Sequence, residues 1–228
     1  MTALAVAPAG YELLLRLAGR IPDELLWRLR GWVAGADRSA AGAVLARALL
    51  RHRIPLTDDE RGLLTELVEP GSPSRRLVDT VLPGSPPAPP SFGPGEPDLA
   101  VWSAGSVVHD EARELLVAVR DDGARVLLVR GAERPHLLTA GLQRLLRVHG
   151  ERIPRVEVWA GDEPPTPYHQ AACAAAESLW SRSPGSRSPG SRSPGSRSPG
   201  SRSPGSRSSE SRSSESRSPG TRSPMPTG

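Results

Sequence analysis

The chain has 228 residues, with 29 basic and 25 acidic side chains and a formal net charge of +4; every basic residue is an arginine. Residues 1–180 hold 20 Arg against 23 acidic residues, a net of −3, whereas residues 181–228 hold 9 Arg against 2 Glu, a net of +7, so any pull on polyanions belongs to the C-terminal end. A single cysteine, Cys173, excludes an internal disulfide and the thiolate sets of structural zinc, and without a long apolar run or a basic secretion leader the expectation is a soluble cytoplasmic chain with no bound metal or cofactor.

Residues 1–82 read as short helices with clear punctuation. In "YELLLRLAGR", Leu13, Leu14 and Leu17 share a face and Gly19 supplies the stop. In "IPDELLWRLRGWV", Pro22 sits at the entry and Asp23 and Glu24 complement the positive helix end, while Leu25, Leu26, Leu29 and Val33 make the stripe. "DRSAAGAVLARALLRHR" follows, capped by Asp37 or Ser39 and stopped before Pro55. Thr57 and Glu60 stand at capping-box spacing before Leu63, Leu64, Leu67 and Val68, and "SPSRRLVDTVLPG" adds a last short helix. The segment 43–68 has helix-turn-helix spacing, but its second helix leads with Asp58, Asp59 and Glu60, which phosphates repel, so groove reading is not expected. Trp27 and Trp32 are five apart and cannot share a helical face; both are expected to be partly buried by neighbouring helices, and one of them exposed as a partner anchor is the alternative.

Residues 83–97, "PGSPPAPPSFGPGEP", contain seven prolines in fifteen positions. Proline fixes φ and removes a donor, so this is expected to be a semi-rigid spacer between two folded parts, with a ligand for an aromatic groove as the rarer alternative.

Residues 98–180 suggest a small α/β domain. The runs "DLAVWSAG", "ARVLLVRG" and "PRVEVWAGD" read as buried strands, separated by "HDEARELLVAVRDDG" and "ERPHLLTAGLQRLLRVHG" as helices and followed by "PYHQAACAAAESLW" as a third helix. The expected fold class is therefore α/β: an all-helical region followed by a three-stranded parallel β-α-β-α-β-α unit. A hairpin turning at residues 121–123 is the competing reading of "LLVAVRDDGARVLLVRG"; the helical period reaching back to Ala112 favours the helix. Trp102 and Trp159 are both expected in the core.

In open α/β sheets ligands bind beyond the strand carboxyl ends. There the sequence offers Ser103, His109 and Asp162, a hydroxyl, an imidazole and a carboxylate in the combination of nucleophilic catalysis, with "SAGS" as an anion loop. No GxSxG, GxGxxG or GxxxxGK[ST] motif supports them. Residues 181–228 repeat "SRSPG" with almost no apolar side chains, the composition of a disordered, low-complexity segment. Arg182, Arg187, Arg192, Arg197, Arg202 and Arg207 give it weak, salt-sensitive contact with nucleic acid or another polyanion, without aromatic residues to stack on bases. The leading expectation is a non-catalytic module that binds another protein or a second copy of itself. A small enzyme or ligand binder using the strand-end crevice is the alternative, and polyanion contact the second.

Overall fold

In the computed structural model, residues 9–182 are described, and they form a mixed helix-and-sheet structure. Five helices come first: α1 (Ala9–Arg16), α2 (Asp23–Ala34), α3 (Arg38–Arg51), α4 (Asp58–Leu67) and α5 (Pro73–Thr80). Their caps follow the sequence signals. Asp37 accepts from Ala40 N at 3.4 Å, Ser72 accepts from Arg75 N at 3.3 Å, and Thr57 and Glu60 form a reciprocal capping box. Gly19 closes α1 with φ of +73°, where an added Cβ would fall 2.6 Å from the Tyr168 ring.

The chain then builds β1 (Phe92–Pro94), α6 (Leu99–Glu111), β2 (Glu114–Arg120), β3 (Arg125–Arg130), α7 (Pro135–Val148), β4 (Val156–Trp159), α8 (Pro167–Ala175) and β5 (Glu177–Ser181). The all-parallel unit does not form. "DLAVWSAG" is the start of α6: Asp98 accepts from Val101 N at 3.0 Å, and Ala100, Val101, Ala104 and Val108 make the buried face. "ELLVAVR" is a strand, because the alternative turn at residues 121–123 forms. Gly123 takes φ of +79°, and the Asp122 carboxylate accepts from Ala124 N at 3.0 Å. The helix in "PYHQAACAAAESLW" ends at Ala175, and "ESLW" enters β5.

The sheet is mixed. β2 and β3 are an antiparallel hairpin with Val117 opposite Leu127. β3 and β4 are parallel with Leu127 opposite Val156, joined by α7 as a βαβ crossover. β5 and β1 both pair antiparallel with β2, along residues 114–117 and 118–120 in turn, so they share its remaining edge.

Strand alternation sends residues to two faces. Leu115, Val117, Leu127, Val129, Val156 and Val158 pack with α6 and α7. Leu116, Ala118, Val126, Leu128 and Trp159 pack with α8 and with the leucines of the helices from residues 9–80. Residues 83–97 therefore do not separate two cores. Sheet and N-terminal helices share one apolar cluster, and all described residues lie in one compact unit. The physical reason is area: a small sheet has two apolar faces, and α6 and α7 cover only one of them.

Candidate functional site

Three features of the described residues bear on function: a buried polar network on the free edge of β4, a cavity beside it and an exposed apolar ridge on α6.

β4 pairs only with β3, so its outer edge carries unpaired carbonyls. Leu127 N takes the carbonyl of Arg155, so Val156 O and Val158 O point outward. Both are answered by side chains from the helical layer. Arg30 donates from Nη1 to Val156 O at 2.7 Å, and the Tyr11 hydroxyl donates to Val158 O at 2.7 Å. With its proton so committed, the Tyr11 oxygen accepts from Thr139 at 2.6 Å. Burial, the dominant influence, pushes the Tyr11 hydroxyl far above its ordinary pKa, so it stays a donor.

Arg30 also clamps Glu157, from Nη1 to Oε1 at 2.8 Å and from Nη2 to Oε2 at 2.5 Å. Arg30 is 1 % exposed and Glu157 2 %. Burial alone would raise the Glu157 pKa; the Arg30 charge and the hydrogen bond from His169 outweigh it and hold the carboxyl below its ordinary value. His169, also fully buried, reaches Glu157 Oε2 from Nε2 at 3.0 Å and Thr166 Oγ1 from Nδ1 at 2.7 Å. Thr166 caps α8 and lines a cavity of about 350 Å³ bounded by Gly19, Arg20, Thr57, Pro87 and Tyr168.

Thr166, His169 and Glu157 thus form a hydroxyl–imidazole–carboxylate chain that ends at a cavity. Arg30 already holds the carboxylate through both oxygens. The chain therefore holds α2, β4 and α8 together. A second ion cluster does the same nearby, where Asp23 on α2 accepts from Arg120 of β2 at 2.7 Å and from Arg155 at 2.6 Å.

Ser103, His109 and Asp162 each bond to another partner rather than to one another. Ser103 and His109 both lie on α6, six residues and hence about 9 Å of rise and about 120° of rotation from one another. Ser103 donates to Leu99 O at 2.8 Å, His109 contacts Asp110 at 3.2 Å, and Asp162 is paired with Arg113 at 2.7 Å. The strand-end crevice fails at its root, because the segment carrying Ser103 is a helix. Arg182 is not a free cation: its backbone N donates to Arg113 O at 2.7 Å, its guanidinium reaches His109 O, and it lies 5.5 Å from the centre of the Trp180 ring. Arg187, Arg192, Arg197, Arg202 and Arg207 fall outside the described residues.

Trp159 is buried, but Trp102 is not. On α6, Leu99 is 74 % exposed and Trp102 58 %. Leu99 and Trp102 are three apart, so they form one ridge on the solvent side. Among the described residues no group of His, Cys, Asp or Glu has the arrangement of a metal site, and no helix is long and apolar enough to cross a membrane. Cys173 is half-buried and unpaired, and burial raises its thiol pKa.

Sequence reasoning passed over Arg30, Glu157 and Tyr11. Two signals were present. Arg30 falls in the stripe Leu26, Leu29, Val33, and Glu157 sits inside the apolar run "VEVW"; an opposite pair, each placed where an apolar residue belongs, marks a buried ion pair. Comparison with protein-family models, with curated proteins and with solved structures finds no match.

Proposed function

We propose that the chain is a non-catalytic module that binds another protein through the outer face of α6. The observation that carries this reading is the exposed ridge of Leu99 and Trp102, a large aromatic side chain left on the surface of a helix whose other face is fully packed. Tryptophan dominates the energetics of protein contacts, and an exposed apolar patch needs a reason. The scatter of Ser103, His109 and Asp162, and the Arg30 clamp on the one hydroxyl–imidazole–carboxylate chain described, weigh in the same direction.

Leu99→Glu combined with Trp102→Glu tests it. Both positions are exposed, so stability should change by no more than about 0.5 kcal/mol per site. The full chain carrying a photo-crosslinker at position 106, one turn along the same face, should form a defined adduct with one partner, and the double charge variant should lose that adduct. Sedimentation of the purified chain identifies whether the partner is a second copy. Equal adducts with and without the two glutamates would refute the reading.

A further inference from the structure

The proline-rich segment has a second surface to offer. Residues 83–89 are all exposed, and residues 84–91 belong to no helix or strand. The segment is nevertheless tied down at both ends. Leu56 N donates to Leu82 O at 2.9 Å, and Gly84 N donates to Leu56 O at 3.0 Å. At the far end Asp121 N donates to Ser91 O at 3.0 Å, Phe92 pairs with Arg120, and the Phe92 ring meets Tyr168 edge-on at 5.2 Å. Between these anchors the chain passes over the cavity as a strap.

Its conformation follows from its sequence. Pro86, Pro87, Pro89 and Pro90 have fixed φ, and Ser85, Pro86, Ala88 and Pro89 each precede a proline, which holds them extended. Fixed φ and extended ψ favour polyproline II, which has three residues per turn. Pro83, Pro86 and Pro89 fall on one edge, and Pro87 and Pro90 on the next. The pairs Pro86–Pro87 and Pro89–Pro90 therefore present the same ridge twice, about 9 Å apart. Among residues 85–90 only Ser85 and Ala88 carry an N–H, whereas all six carry a carbonyl. Such a strap cannot accept a neighbouring strand. It fits a surface that supplies flat apolar slots for prolines and side-chain donors for carbonyls. That is the chemistry of an aromatic-lined groove.

We propose that Pro86–Pro90 is a docking ligand for a partner domain whose aromatic groove reads PxxP segments. Anchoring at both ends removes ordering cost that a free peptide bears on binding, so the intact chain is the better ligand. The site shares with the α6 reading only the premise that the protein binds protein. The two surfaces belong to elements packed on opposite sides of the sheet, and they stand or fall separately.

The experiment titrates the full chain with isolated SH3, WW and EVH1 domains as probes, and in parallel a synthetic peptide of residues 82–92. At least one probe should bind the full chain with micromolar affinity and more tightly than it binds the peptide. Pro86→Ala with Pro89→Ala should weaken binding by about tenfold or more. Ala88→Asp should do so independently, and Trp102→Glu should leave binding unchanged. A thermal melt of each variant shows that the fold is intact. Absence of binding to the full chain by every probe overturns the proposal, including the case in which only the peptide binds. So does binding that survives the proline substitutions, or that is lost only when the prolines of residues 184–219 are replaced. Equal α6 adducts with and without the two glutamates, together with probe binding that the proline substitutions abolish, would reject the α6 reading and leave this one standing.

Discussion

Glu157 is buried and accepts from two side chains, so its charge is compensated by Arg30 and oriented by His169. Removing one partner of such a pair leaves the other charge buried, so Glu157→Gln should destabilise by about 3–5 kcal/mol in urea unfolding. Arg30→Met with Glu157→Leu should recover only part of that loss. The ion pair itself is replaceable by apolar groups, but Val156 O loses its donor, which costs about 1–3 kcal/mol. Acid dependence follows from the same group. The folded pKa of Glu157 lies below its ordinary value of 4.5. Its contribution is therefore present above that value and is lost as pH falls through the folded pKa. Glu157→Gln should accordingly flatten the fall in stability below pH 4.5 relative to the parent chain, measured by urea midpoints at several pH values. The capping residues Thr57, Asp37 and Ser72 were legible in advance because a cap is a local bargain between a side chain and its own helix end. Arg30 and Glu157 were not, because they are 127 positions apart and neither names its partner.

At the scale of elements, α4 shows how one side chain serves two masters. Glu60 Oε2 accepts from Thr57 N at 3.0 Å while Oε1 accepts from Arg20 at 2.5 Å. Thr57→Ala should cost about 1 kcal/mol, the usual value of a helix cap. Glu60→Ala should cost at least twice as much, since it also strips the partner from the buried Arg20 guanidinium, and urea titration of the two variants makes the comparison. Five helices over residues 9–80 were readable from punctuation and stripe. α6 and β2 exchanged identities for a physical reason. "LAVWSAGSVV" is small and apolar around most of its circumference, so no period stands out, and "ELLVAVR" is buried on both faces, so it lacks the alternation of a half-exposed strand. The deciding information was in the flanks: the Asp98 cap before one and the Asp-Asp-Gly turn after the other.

For the molecule as a whole, the sharing of one apolar cluster between the helices and the sheet predicts a single unfolding event. With Trp27 kept as the only tryptophan, fluorescence reports α2; with Trp159 kept alone, it reports β4. The two urea midpoints should coincide with each other and with far-UV circular dichroism, and a separation between them would mean independent modules. The sequence suggested a boundary at residues 83–97 because prolines interrupt secondary structure, yet an interrupted backbone need not interrupt a core. The last described strand carries a different consequence. β5 completes the edge of β2 from residues 177–181, so the sheet cannot close until residue 181 has been synthesised. Until then residues 114–117 of β2 offer an open ladder to any passing chain, so a protein truncated before residue 177 should be the form that aggregates, which light scattering on the truncated and full chains would show.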